Sequence, residues 1–111
     1  MTKITVTMLA ALAHETRLAL FRLLIRRGPE GSKAGDIARE LAVPNSTLSY
    51  HLTELEQARL ITSTKQQRQI IYAANMEALE DFLAFLIEDC CQTSGDPCFS
   101  LLNKRKDGRG T

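Results

Sequence analysis

Two short helical patterns joined by a three-residue turn constrain this chain more than any other feature. Residues Lys33 to Leu41 place Ile37, Ala38 and Leu41 on one face of a short helix, with Ser32 positioned to cap it. Ala42-Val43-Pro44 forms a turn. From Asn45 or Ser46 to about Ala58 a second helix sets Leu48, Leu52 and Leu55 along one stripe. A helix, a turn of three to four residues and a second helix make a helix-turn-helix unit. Two β-branched runs follow, Leu60 to Thr64 and Gln69 to Ala73, with Lys65-Gln66-Gln67-Arg68 between them. These predict a β-hairpin with a polar tip.

The flanks are helical. Met8, Leu9 and Leu12, then Leu18, Leu20, Phe21, Leu24 and Ile25, recur at helical spacing across residues 5–27, with a break at Ala13-His14-Glu15-Thr16. Two arginines, Gly28 and Pro29 end this segment. Asn75 is placed to cap a last helix from Met76 to about Cys91, whose stripe is Leu79, Phe82, Leu83, Leu86 and Cys90. At 111 residues the chain holds one core. The expected class is α+β, mainly α: a winged helix-turn-helix with a two-stranded β-hairpin wing. Residues 1–98 form the folded domain and 99–111 a flexible tail. With no leader pattern and no apolar run long enough for a span, the expected compartment is the cytoplasm, without a membrane partner.

A net charge of +1 does not announce a polyanionic partner, but its distribution is uneven. Residues 57–74 carry Arg59, Lys65 and Arg68 with no acid, whereas residues 76–98 carry six acids and no base. Association with a polyanion depends on the local field rather than on the sum. The second helix of the motif presents Asn45, Ser46, Thr47, Ser49, Tyr50 and His51 in its first two turns. Such side chains hydrogen-bond phosphates and base edges, and this end of the helix is the one that reaches the groove. Lys65 and Arg68 at the hairpin tip suit the adjacent backbone or minor groove. The pattern therefore points to double-stranded DNA; polar residues on a merely solvated face are the competing reading.

Leu12-Ala13-His14-Glu15-Thr16-Arg17-Leu18 resembles the signature L-A-x-x-x-R-L of the ArsR/SmtB family of metal-responsive repressors. Ser46-Thr47-Leu48-Ser49-Tyr50-His51-Leu52 is similar to that family's recognition helix. The resemblance spans roughly residues 8–91. It implies a winged-helix homodimer, paired through its first and last helices, that holds an inverted-repeat operator until an inducer releases it. Two departures concern the fold. Pro44 stands where many members have a capping Ser, and Arg59 stands where a Gly often follows the recognition helix. A left-handed Arg59 would cost about 1 kcal/mol.

The inducer site departs further. The cysteines that bind metalloid in the third helix of the arsenic-responsive founders are missing here, since Gly31 to Ile37 contains no thiol. The Asp and His ligands of zinc-responsive members are also missing, because residues 76–98 contain no His. What the chain has is Cys90, Cys91 and, after six intervening residues, Cys98. Thiolates select soft ions. Three sulfurs suit a pyramidal ion such as arsenite or antimonite, and some arsenic-responsive members carry such a carboxyl-terminal cluster. Zinc or cadmium would require a fourth ligand, from Asp89, Asp96 or a partner chain. A redox switch through Cys91 and Cys98 is a further reading, and burial of Cys90 in the apolar stripe is the plain one. A small thiol enzyme is disfavoured: no Gly-rich anion loop is present, and Glu88, Asp89 and Asp96 would raise the thiol pKa values.

Overall fold

The computed structural model describes residues 2–88, which fall into two units, one ending at Met76 and the other beginning at Glu77. Helices α1 (Thr2–Leu12) and α2 (Glu15–Arg27) meet at the expected break. His14 makes that break productive: it is extended (φ −157°, ψ 128°), and its Nδ1 accepts the Thr16 N–H at 3.1 Å, capping α2. Leu20, Leu23 and Leu24 of α2 are fully buried. This helix packs against α1, α3 (Ala34–Leu41), α4 (Asn45–Gln57) and the sheet, and so forms the centre of the first unit. Ile37, Leu48, Leu52, Leu55, Leu60 and Ile61 complete an aliphatic core around it.

Both helices of the motif end in the same way. Val43 N–H bonds Ala38 O at 3.1 Å and Ala42 N–H bonds Arg39 O at 3.3 Å, with Ala42 left-handed at φ 56°. At the end of α4, Leu60 N–H bonds Leu55 O at 3.0 Å and Arg59 N–H bonds Glu56 O at 3.0 Å, with Arg59 at φ 66°. This paired bonding, with one left-handed residue, is the Schellman closure. Leu55 and Leu60, which it brings together, are both fully buried. The conformation expected where Gly is usual is thus adopted by an arginine. Arg59→Gly is expected to stabilise the protein by about 1 kcal/mol, read as a higher urea midpoint at unchanged m-value.

Three sequence expectations change. Ser32 does not cap α3; Lys33 takes that position without a side-chain bond. Ser32 and Lys33 instead form a short strand, β1, opposite Tyr72 and Ile71 of β3 (Gln69–Ala74). The sheet accordingly has three antiparallel strands in the order β1-β3-β2, not two. The hairpin is also longer than expected. Strand β2 runs Ile61–Gln66, and Lys65 and Gln66 pair with Ile70 and Gln69, leaving a two-residue turn at Gln67 and Arg68. Gln67 takes a positive φ of 58°, as the first position of a primed hairpin turn requires, without the usual Gly.

Gly31 explains why β1 can pair at all. It sits at φ 71°, and a Cβ there would press on the Tyr72 carbonyl oxygen and lie 2.9 Å from Ile71 Cγ2. Both neighbours belong to the strand that β1 joins. Gly31→Ala is therefore expected to cost about 2–4 kcal/mol and to lower Tm by roughly 10 °C or more. A shift below about 2 °C would show that the close approach is not constrained.

Helix α5 runs Met76–Ile87, starting where expected, and all of it after Met76 belongs to the second unit. The reach of this helix towards Cys91, and the expected tail at 99–111, lie outside the described residues.

Candidate nucleic-acid interface

Helix α4 owes its two faces to its spacing. Leu48, His51, Leu52 and Leu55, at i, i+3, i+4 and i+7, are buried. Asn45, Ser46, Thr47, Ser49 and Tyr50 are exposed, Tyr50 at 58%. Pro44 precedes the helix in extended conformation (φ −64°, ψ 149°), and its carbonyl accepts the Leu48 N–H at 2.9 Å. The first turn carries no acid, so the free N–H groups at this end favour an anion unopposed.

His51 is the exception among the expected reading residues. It is only 4% exposed and faces inward, because its position in the period coincides with the leucines. Its ring lies 4.7 Å from that of His14 and 5.4 Å from that of Tyr50, and Arg17 Nη1 approaches its Nδ1 at 3.4 Å. Burial, then the charges of His14 and Arg17, hold its pKa below the ordinary 6.5, with Glu54 opposing. The buried side chain is a packing group, not a member of the exposed face.

One bond ties the wing to α4, and two more tie the end of β3 to the segment that follows α4. Ser63 Oγ donates to Glu56 Oε2 at 2.7 Å, Asn75 Nδ2 donates to Arg59 O at 3.1 Å, and Asn75 N–H donates to Leu60 O at 2.9 Å. Beyond this base the hairpin is exposed, with Lys65 and Arg68 at its tip. Hence α4 and the basic tip belong to one unit at a set distance.

Pairing of β1 with β3 adds what the sequence reading missed. It brings Lys33 and the start of α3 alongside the wing, making a shallow groove lined by Lys33, Asp36, Arg39, Arg68, Gln69 and Tyr72. Arg39 is paired with Asp36, whereas Lys33 and Arg68 are exposed. Burial, and then the charge of Glu56, keep the Tyr72 hydroxyl protonated beyond its ordinary range, so it remains a donor. Only the contact between Ser32 and Tyr72, forty positions apart in sequence, reveals this groove.

Among the described residues no group of three His, Cys, Asp or Glu side chains is arranged to hold a metal ion. Cys90, Cys91 and Cys98 lie outside those residues. No described helix is long and apolar enough to cross a membrane.

A helix-turn-helix domain model matches residues 12–64, the segment from the end of α1 into the first wing strand. The HTH-type transcriptional regulator YgaV of Escherichia coli is 30% identical over 84 residues, covering 76% of this chain and 83% of the regulator. An ArsR-like transcriptional regulator from Rhodococcus sp. RHA1 superposes with a TM-score of 0.73 at 26% identity, over 84% of this chain and 85% of that one. The chain belongs to the ArsR/SmtB family. It is a transcriptional regulator with a DNA-binding helix-turn-helix, and not an enzyme. The fold alone is shared with the homodimeric winged helix-turn-helix DNA-binding domain of Mb0332 from Mycobacterium bovis. That domain has a TM-score of 0.65 at 16% identity, over 88% of this chain and 89% of its own.

Proposed function

We propose that the protein is a homodimeric repressor that binds an inverted-repeat operator and is released when arsenite or antimonite binds Cys90, Cys91 and Cys98. The observation that carries the DNA half is the exposed, acid-free start of α4, in the same unit as a basic wing tip. Asn45, Ser46, Thr47, Ser49 and Tyr50 enter the major groove, where neutral donors and acceptors distinguish base edges. Lys65 and Arg68 lie on flanking phosphates, joined by Lys33 from the groove beside the wing. Exposed Val6 and Leu9, at i, i+3 on α1, support pairing through the first helix, since a second copy would cover them. Two-fold symmetry then sets the α4 helices about 34 Å apart on successive turns of the duplex.

The inducer half rests on the donor set. Three thiolates match the coordination of trivalent arsenic, which binds sulfur in a pyramid and leaves no fourth position to fill. Binding draws Cys98 towards the adjacent pair and alters how the last helix meets its partner. Because the operator fixes the half-site spacing, a coupling of about 1–3 kcal/mol is enough to weaken binding five- to 150-fold.

Titration of the operator-bound protein with arsenite, antimonite, cadmium and zinc tests the inducer directly. Release at stoichiometric arsenite or antimonite, with none from zinc, is expected. Release by zinc or cadmium alone would replace the metalloid with a four-coordinate ion. Release by peroxide but by no ion would assign a thiol redox switch.

A further inference from the structure

Arg17 stands at the junction of α1 and α2, outside the residues proposed to contact DNA. It lies in the first turn of α2, and its Nε donates to the Ala11 carbonyl oxygen at 2.7 Å, at the carboxyl end of α1. Its Nη1 is 3.4 Å from His51 Nδ1, and its Cζ is 5.8 Å from the centroid of the Tyr50 ring. One guanidinium therefore reaches from the end of α1 to two consecutive residues of α4. Of these, Tyr50 is exposed on the reading face and His51 is buried behind it.

A guanidinium has N–H donors and no acceptor, so the His51 atom it approaches must offer a lone pair. That requires a neutral ring with its proton on Nε2. We infer that Arg17 is a positioning residue for the reading helix, fastening Tyr50 and His51 to the end of α1 only while His51 is uncharged. The effect on DNA rests on the operator reading above; the coupling between Arg17 and His51 does not.

The surroundings of His51 favour the uncharged ring. The groups facing it are His14 from the junction of α1 and α2, Arg17 from α2, and Tyr50 and Glu54 from α4 itself. Burial and the two basic neighbours lower its pKa, and only Glu54 acts the other way. Protonation would set a second fixed positive charge against the guanidinium and remove its acceptor. The contact is thus complete at neutral pH. It is lost as pH falls below the ordinary 6.5 and through the lower value of the folded protein.

This dependence has an unusual sign. A protein that gains positive charge ordinarily binds DNA more tightly. Here acidification should loosen the reading helix and weaken specific binding.

The test uses the full-length protein and has two arms. In the first, the His51 ring is titrated by NMR without DNA, in the wild type and in Arg17→Gln. Removing the guanidinium should move the His51 pKa upward. In the second, binding to a labelled duplex from the promoter region of its own gene is followed between about pH 8 and pH 5. Wild-type affinity should fall on acidification. Arg17→Gln and Arg17→Lys should both bind about tenfold more weakly at the alkaline end and lose most of that fall. Lysine keeps the charge but cannot reach Ala11 O and His51 together, so it should not rescue. His51→Gln, which leaves the arginine in place, should also flatten the pH profile.

The slope of affinity against salt should be the same in wild type and variants. A slope reduced by about one unit in Arg17→Gln would make Arg17 a phosphate contact and overturn the inference. An unmoved His51 titration, or an unchanged pH profile, would overturn it as well. If the wild type binds no duplex, the operator reading fails and the NMR arm alone decides between Arg17 and His51.

Discussion

A variant with Cys90, Cys91 and Cys98 all replaced by serine is expected to bind the operator as tightly as the parent and to remain bound when arsenite is added. The reasoning separates two parts of the chain. The residues proposed to contact DNA lie between Lys33 and Arg68, and all the thiols lie beyond Glu88. Serine preserves size but is a poor ligand for a soft ion. Without ligands the inducer has no differential affinity for the DNA-free state, and a ligand without differential affinity shifts nothing. Wild-type release by a factor of five to 150 should therefore collapse to about one. Single replacements should rank as well. Losing Cys98 leaves an adjacent pair that can still hold the ion with two sulfurs, whereas losing either Cys90 or Cys91 opens the pair itself. A triple variant that still leaves the operator on arsenite addition would remove the metalloid from the account.

The second large effect is expected on α4 and the wing, and the two should fail differently. Thr47→Ala or Ser49→Ala, on the exposed face, removes a group proposed to meet a base edge. Each should weaken specific binding by about 1–3 kcal/mol, roughly five- to 150-fold, while leaving non-specific binding nearly unchanged. Replacing Lys65 and Arg68 together by glutamine should weaken specific and non-specific binding alike. It should also lower the slope of log affinity against log salt by about two. Fluorescence anisotropy on operator and scrambled duplexes at several salt concentrations measures both. If the α4 variants reduced the slope and the wing variants changed only specificity, the assigned roles would be reversed.

Much of this architecture was legible because it is locally encoded. The break at His14 follows from a capping side chain between two apolar periods, and α4 was bounded by Pro44 and the end of its leucine stripe. The left-handed Arg59 could be anticipated because it stands where a Gly often follows the recognition helix in the family that the chain resembles. Ser32 was misread for the opposite reason. Its capping chemistry is local, but a strand pairing with Tyr72 outweighs it, and only the missing Cβ of Gly31 admits that pairing. At the hairpin tip, Gln67 carries no turn signal, so the loop was drawn two residues too long on the β2 side.

Among the candidate reading residues, His51 is the one that the structure buries instead of exposing. His51 was grouped with its polar neighbours by chemistry, although its spacing from Leu48, Leu52 and Leu55 placed it on the buried face. The period was the better guide. The roles proposed for Arg17 and Lys33 could not be found from the chain alone, since each rests on a partner far away in sequence. The thiol cluster is known by its residue types and spacing, and it lies outside the described residues.

The central claim is that this regulator reads a particular DNA sequence through α4, and one comparison addresses it most directly. The affinity of the full-length protein for a duplex carrying the inverted repeat from its own promoter should be measured beside a scrambled duplex of equal composition, at physiological salt. The account predicts a ratio of about 10³ or more in favour of the inverted repeat. Equal affinity for the two duplexes would contradict it.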